Sequence, residues 1–513
     1  MIWHKIYNPD IPIPPEIRFR YSIGDTVRIS KYSTTFSKGY LPKWSEEIFT
    51  IADCHITNPP VYSLKDSSGN LLEGTWYEPE LQKNSCLASN SELELFSNHP
   101  TQASIEEGMH VEHIPTSSVQ DDSPIKFFVS VDSNNYMDLK SSYLHLEVKI
   151  TKADRSNIDD DAKVAPIDLI GQTLFQQIDV SLNDVIITDS SNLSHYRAMI
   201  DTLLSYSDES KQSQLTMSMF AKDTANAMEA RDDNNKGFVE RKRLTEKSKT
   251  VQLIGKIHSD IFFQNGYLLN GVDLKLTLIK NSDKLILMSG GASGFKLKII
   301  NASFLVRKVK INDGIQMKHI EMLEKELKPA LYPIRRVTMK SFNIPSGSLS
   351  CNEENLFNGI LPKRIVIGMV DARSFEGNFE YNSFNFKHKN LKYCSLLVDG
   401  KMVPQKPFFT DFSNDQFLRS YFSLIEGTRK AFKDVGIGID RTEYAHGYSL
   451  LAFDLTPSLD DDGSFNVLKK GNIRFEAKFN SGLDVPVNVI VYAEFDATVK
   501  TEKNRAVLPN FFS

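Results

Sequence analysis

The chain has 513 residues, of which 41% are hydrophobic and 24% charged, with a formal net charge of -5. That length supports two to four domains with a substantial core, and the near-neutral charge argues against a nucleic-acid binder with a dominant basic field. Cys54, Cys86, Cys351 and Cys394 are scattered without a C-x-x-C pair, which fits free thiols in a reducing compartment rather than a disulfide scaffold or a zinc site.

Residues 1–17 read as an extended lead, because Pro9, Pro12, Pro14 and Pro15 preclude a stable helix. With no apolar h-region there, and no uncharged apolar run of about 18 residues anywhere, the sequence predicts neither a signal peptide nor a membrane span. The expected location is intracellular, in cytoplasm or nucleus. Residues 18–84 read as a compact β unit. In GDTVRIS, Val27 and Ile29 share one face and Thr26, Arg28 and Ser30 the other, the period of a strand. EEIFTIADCHI and VYSLKDSSGNLLEGTWY follow, with Ser68-Gly69-Asn70 as a turn. Short strands in so small a segment suit an SH3-like barrel, whose core is the expected place of Trp44 and Trp76. A polar linker, 85–97, leads to the main body.

The body reads as two β-rich domains, 98–312 and 313–513. YLHLEVKI alternates cleanly, with Leu144, Leu146, Val148 and Ile150 inward, and FQQIDVSLNDVII turns at Asn183-Asp184. RIVIGMV, SLLVDGKMV with its Asp399-Gly400 turn, NIRFEAKF and VNVIVYAEFDATV continue the pattern. Helical periodicity is confined to 197–206, 213–230 and 315–327, the last marking the seam between the domains. The predicted class is mainly β: an SH3-like barrel, then two sandwiches of jelly-roll size with a few loop helices.

No catalytic constellation emerges: G-x-S-x-G, G-x-x-x-x-G-K-[ST], H-E-x-x-H and a G-x-G-x-x-G between strand and helix are all absent. His110 and His113 lack a third ligand at metal spacing, and the acidic runs Asp159–Asp161 and Asp460–Asp462 lack EF-hand spacing. Gly290–Gly294 reads as a flexible loop between strands. The densest basic run, KGFVERKRLTEKSK at 236–249, reads as a solvated loop, or else as a contact with nucleic acid through phosphate neutralisation. The candidate DNA contacts are Arg28, Lys31, Lys38, Lys43, Lys236, Arg241, Lys242 and Arg243. The acidic residues of 18–84 more than balance the basic ones there. The sequence predicts a protein that binds or assembles, with no catalytic, cofactor-binding or metal-binding residue.

Two resemblances sharpen this. GDTVRISKYSTTFSKGYLPKWSEEIFTI, NPPVYSLKD and GTWYEPELQK resemble the C-terminal SH3-like module of the retroviral-type integrases of Polinton (Maverick) elements. The three metal-binding carboxylates of an integrase core would precede this module, and only 17 residues do, so strand transfer is not carried over. From about Ser91, LELFSNHPTQ, PIKFFVS, YRAMIDTLLSYS, HSDIFFQNGYLLNGVDLKL, YPIRRV, LPKRIVIGMVD, NSFNFKH, VDGKMVP, GYSLLAFDLTP and VNVIVYAEFD resemble a family associated with the major capsid proteins of Polinton-like and adintovirus-like elements. That resemblance implies a double jelly roll, a homotrimer of pseudo-hexagonal outline, a capsid lattice within a virion, and a minor capsid (penton) protein as a further partner.

The expected function is therefore a structural capsid subunit carrying a non-catalytic integrase tail. The alternative is a DNA- or chromatin-binding protein of a transposable element, acting through the SH3-like module. The aromatic loops at 381–388 and 408–422 supply the expected subunit-interface residues, Phe384, Phe386, Phe408, Phe409, Phe412, Phe417 and Tyr421.

Overall fold

Apolar alternation decides where the strands of this chain run, and left-handed turn residues decide where they reverse. The computed structural model describes residues 19–30, 47–55, 57, 59–66, 69–72, 74–83, 102–119, 123–130, 133–290, 294–457 and 465–510. The chain divides into two units, Met1–Thr101 and Gln102–Ser513.

The first unit is one antiparallel sheet of five strands, Thr26–Ile29, Phe49–His55, Val61–Lys65, Trp76–Tyr77 and Leu81–Lys83. The first four form a meander and the fifth returns to pair with the first. Its core is Tyr21, Val27, Phe49, Ile51, Tyr62, Leu64 and Leu81, with Trp76 half-buried against it. Trp44 lies outside the described residues. Tyr21 donates its hydroxyl to the Leu81 carbonyl at 2.7 Å, and the Tyr62 oxygen accepts the Arg20 amide at 3.1 Å, so both buried phenols are satisfied.

The second unit contains two sandwiches built on one plan. The eight strands of the first are Ile105–His113, Ile125–Val129, Asn135–Lys152, Phe175–Leu182, Val185–Ile186, Val251–Gly255, Leu274–Lys280 and Phe295–Ile311. Numbered in that order they form two four-stranded antiparallel sheets, 5-4-7-2 and 6-3-8-1. The second sandwich uses Ala330–Ile344, Ser350–Ile360, Arg364–Asp371, Leu391–Val398, Lys401–Phe409, Leu450–Asp454, Lys470–Phe479 and Val487–Thr501, and its sheets have the same two orders. Each is a jelly roll. The first adds a small pair, Val164–Pro166 with Leu287–Ser289, and the second adds Val507–Asn510 beside its eighth strand. The hairpin between the fourth and fifth strands turns on Asn183 and Asp184 at φ 46° and 66° in the first, and on Asp399 and Gly400 at 49° and 78° in the second. These are the left-handed pairs a two-residue hairpin demands.

A strand's sequence pattern records how many of its faces are covered. In Asn135–Lys152, Leu144, Leu146, Val148 and Ile150 are buried while His145, Glu147 and Lys149 are not, since this sheet covers a core on one side only. Val487–Thr501 differs. Val487, Val489, Val491 and Ala493 enter the second sandwich's core, while Ile490, Tyr492, Ala497 and Val499 join the larger core continuous with the first. Arg364–Asp371 likewise sends Ile365, Ile367 and Met369 one way and Val366 and Val370 the other. Burial on both faces explains the unbroken apolar runs RIVIGMV and VNVIVYA.

Two local expectations fail. The helix predicted over 213–230 is a short 3-10 turn, Gln214–Ser218, followed by irregular chain, because Met219 and Asn226 adopt left-handed φ of 59° and 65°. The basic run predicted as a loop forms a helix, Lys236–Thr245, started by the Asn235 side chain, which accepts the Phe238 amide at 3.4 Å. Gly237 is forced there by close approach: a Cβ would stand 2.5 Å from the Ala221 carbonyl oxygen and 2.6 Å from that of Lys222. Gly237→Ala is expected to destabilise the protein by about 1–3 kcal/mol, the usual scale of overpacking, seen as a lower midpoint in thermal denaturation of the full chain.

Candidate functional site

A cavity of about 740 Å3 lies between the 226–234 loop of the first sandwich and the 385–390, 445–447 and 481–484 loops of the second. Its lysines are already committed. Lys387 bridges Glu229 at 2.8 Å and Asp371 at 2.7 Å, and Lys389 binds the same Asp371 carboxylate. The His388 ring stacks on Phe412 at 3.9 Å, and its Nδ1 accepts the Asn390 amide at 3.0 Å. Burial, with His446 and Lys389 beside it, pushes His388 down to about 4. Among the described residues, no group of three His, Cys, Asp or Glu side chains could hold a metal ion, and no helix is long and apolar enough to cross a membrane.

The distinctive chemistry lies where the sandwiches meet. Helix Ser194–Ser205 follows the fifth strand of the first sandwich, and eleven of its twelve residues are buried. Burial of so polar a helix requires internal partners. Arg197 binds Asp260 at 2.5 Å and lies 3.6 Å from Asp201. Asp201 also faces His258 at 3.1 Å and Arg335 at 3.7 Å. Glu494 completes the group, with Arg335 at 3.3 Å and Arg364 at 2.6 and 2.8 Å on its two oxygens. The Tyr492 hydroxyl stands 2.5 Å from Asp201 and 2.8 Å from Glu494, one proton between two carboxylates. Three guanidiniums thus meet three carboxylates. Arg197, Asp201 and Asp260 belong to the first sandwich, Arg335, Arg364 and Glu494 to the second.

Burial alone would raise Asp201, but the His258 hydrogen bond and the Arg197 charge outweigh it and hold the carboxyl below its usual range. Glu494 is likewise lowered, burial being overcome by Arg364 and Arg335. Asp260 is raised, because burial wins over Arg197. A second buried centre lies on Lys236–Thr245. Arg241 donates to the Pro166 carbonyl at 2.8 Å and to Asp223 at 2.6 Å, and Asn382 of the second sandwich reaches the same carboxylate at 2.7 Å. Burial pushes Asp168 up against the pull of Arg241, with Asp223 adding to the push.

These positions correct several sequence expectations. Arg241 is fully buried and cannot meet a phosphate, while Lys236 and Arg243 are exposed and Lys242 half-buried on the same helix. Arg28 is half-buried on the first strand of the N-terminal unit; Lys31, Lys38 and Lys43 lie outside the described residues. Phe384, Phe386, Phe408 and Phe417 are buried within the chain's own cores, so they are not free for a subunit interface. Phe412 and Tyr421 are half-buried, and Phe409 is exposed. The six-charge group was missed altogether. Its signals were present as Arg197 and Asp201 one turn apart inside YRAMIDTLL, and as Glu494 interrupting VNVIVYAEF.

No family model matches the sequence. The uncharacterized protein F54H12.2 of Caenorhabditis elegans is 26% identical over 397 residues, spanning 74% of this chain and 91% of that protein. A chain in the 3.5 Å cryo-EM structure of the Sputnik virophage has a similar fold, with TM-score 0.57 and 12% identity over 82% of this chain and 92% of that one. PBCV-1 VP54, as fitted into a Sputnik reconstruction, aligns with TM-score 0.50 and 10% identity, over 82% of this chain and all of VP54. Identities this low establish likeness of fold, that of a double jelly roll.

Removing one partner from a buried ion pair leaves the other charge stranded, at about 3–5 kcal/mol. Arg364→Met is expected to fall in that range, and Arg364→Met with Glu494→Leu to recover most of the loss, read from thermal midpoints. Because Asp201 and Glu494 are lowered on folding, their contribution is present above the unfolded carboxylate range and lost below it. Stability should fall as pH drops below about 4, with Asp260 working weakly the other way; calorimetry across pH checks this.

Proposed function

We propose that the chain is a structural, capsid-type subunit of a Polinton-like element or virus that self-associates into homotrimers and then a lattice, and that residues 18–84 are a non-catalytic integrase tail. The observation that carries the reading is the exact repeat of the jelly-roll plan in one chain. The likeness of that double sandwich to a chain of a virus particle supports it, as do the motifs shared with the Polinton-type family. Three copies would bring six equivalent sandwiches around one axis, which is how a trimer presents a pseudo-hexagonal outline to a lattice. The surrounding chemistry agrees: the buried charges where the sandwiches meet are spent on one another, as a rigid building block needs.

A minor capsid protein is the further protein partner this reading calls for, and the virion is its location. The meander of the first unit, closed by pairing of its first and fifth strands, supports the SH3-like assignment. DNA binding by that unit is the secondary activity the resemblance brings, and Arg28 is the described residue available to it.

Native mass spectrometry and electron microscopy of the full chain test the main reading. A species of three times the chain mass, associating further into sheets or shells, is the expected result. A chain that remains monomeric across concentration, salt and pH would overturn it.

A further inference from the structure

The first sandwich carries a basic recess whose charge the chain itself leaves uncompensated. The recess, of about 160 Å3, lies where the eighth strand, Phe295–Ile311, passes the start of the second strand and the end of the seventh. Four cationic side chains line it: Arg155, Lys280, Lys296 and Lys298. Lys280 is bound to Asp283 at 2.9 Å. Arg155, Lys296 and Lys298 have no ion-pair partner among the described residues. Carboxylates close in sequence or on the same sheet are engaged elsewhere. Asp154 accepts the Ser156 amide and hydroxyl at 2.9 and 2.6 Å, Asp159 binds Lys152 at 2.7 Å, and Glu147 accepts from Gln252 at 2.8 Å. Asp121 and Asp122 lie outside the described residues.

Register concentrates the charge. Lys298 stands directly opposite Lys149 of the third strand, and Lys296, two residues away, projects from the same face. Lys149 also lacks an ion-pair partner among the described residues. Like charges facing each other across a strand pair are destabilising, and an anion held beside them relieves that repulsion. Arg155 reaches the recess from a turn closed by its amide on the Lys152 carbonyl at 3.0 Å. Its φ of 73° lies in the left-handed region, which glycine or asparagine occupies at less cost. Size narrows the choice of anion. At about 30 Å3 per water molecule, the recess has room for about five, the bulk of one tetrahedral oxyanion. It falls short of the roughly 300 Å3 at which pockets for whole small molecules begin.

We propose that this recess binds a phosphate group, held by Arg155, Lys296 and Lys298. A guanidinium is planar and meets two phosphate oxygens at once, while each ammonium acts as a mobile point charge. Such a group is carried by free phosphate and by the phosphodiester backbone of a nucleic acid, and the recess recognises what the two share. Lys149 continues the positive charge on the same face beyond the recess, on the side where a chain of phosphates would run. The site goes beyond the assembling role argued above and does not depend on it.

The test uses the full chain, with circular dichroism as the control on folding. Titration calorimetry with inorganic phosphate and with pyrophosphate reads the free source; fluorescence anisotropy with a labelled duplex oligonucleotide reads the phosphodiester. Lys296→Gln with Lys298→Gln should weaken whichever probe binds at least tenfold and leave the fold intact. Should the double variant unfold, Arg155→Gln, in an exposed turn, is expected to weaken binding in the same direction. For the duplex, the slope of log affinity against log salt should shrink by about one for each cation removed. Loss of binding in the variants supports the site, and the probe that was bound names the source. A wild-type chain that binds none of the three probes overturns the proposal, as does binding that the folded variants leave unchanged.

Discussion

Six mutually paired charges, five of them largely buried and Arg335 partly open to solvent, hold the two sandwiches of this chain in one relation to each other. Arg197, Asp201 and Asp260 of the first sandwich face Arg335, Arg364 and Glu494 of the second, and the sum of the formal charges is zero. Each ion alone would be costly to bury; together they satisfy one another only if the helix Ser194–Ser205 sits over the strands carrying Arg335 and Glu494 in the observed register. A hydrophobic interface could slide by a residue at small cost. This one cannot, because a slide strands charges in a medium of low polarity. Arg364 extends the constraint, since the guanidinium that grips Glu494 also donates to the Gly427 carbonyl at 2.7 Å. The end of the second sandwich's helix, Leu418–Gly427, is thereby tied to the same centre.

The two halves repeat one strand order, yet their helices after the fifth strand differ in surroundings. Ser194–Ser205 is buried at eleven of its twelve residues, whereas Leu418–Gly427, packed against Ala452 of its own sandwich, leaves Leu418 and Phe422 56% and 37% exposed. Charge pairing recurs away from the six-charge group: the cavity between the loops is lined by Lys387 and Lys389, paired with Glu229 and Asp371.

Much of this fold was legible in the sequence. The alternation of YLHLEVKI and NIRFEAKF fixed inward and outward faces correctly, with Ile473, Phe475, Ala477 and Phe479 all buried, and the Asn183-Asp184 and Asp399-Gly400 turns fell where a two-residue hairpin needs positive φ. The mainly β class followed from these local signals. What failed depends on tertiary partners. The run at 236–249 looked like a charged loop because nothing local reveals that Arg241 finds Asp223 across the fold. The aromatic loops looked like interface because sequence does not distinguish Phe386, at 0% exposure, from Phe409, at 59%. Phe432, 98% exposed, was passed over for the same reason: exposure is a property of the whole packing and not of the segment.

The central claim is that the six paired charges fix the two sandwiches in one relation. Hydrogen–deuterium exchange followed by mass spectrometry, on the wild type and on Arg364→Met, measures this directly. Ser194–Ser205 and Val487–Thr501 should exchange slowly in the wild type and lose protection together in the variant. Rapid exchange of Ser194–Ser205 in the wild type, or unchanged protection of both segments in a folded variant, would contradict it.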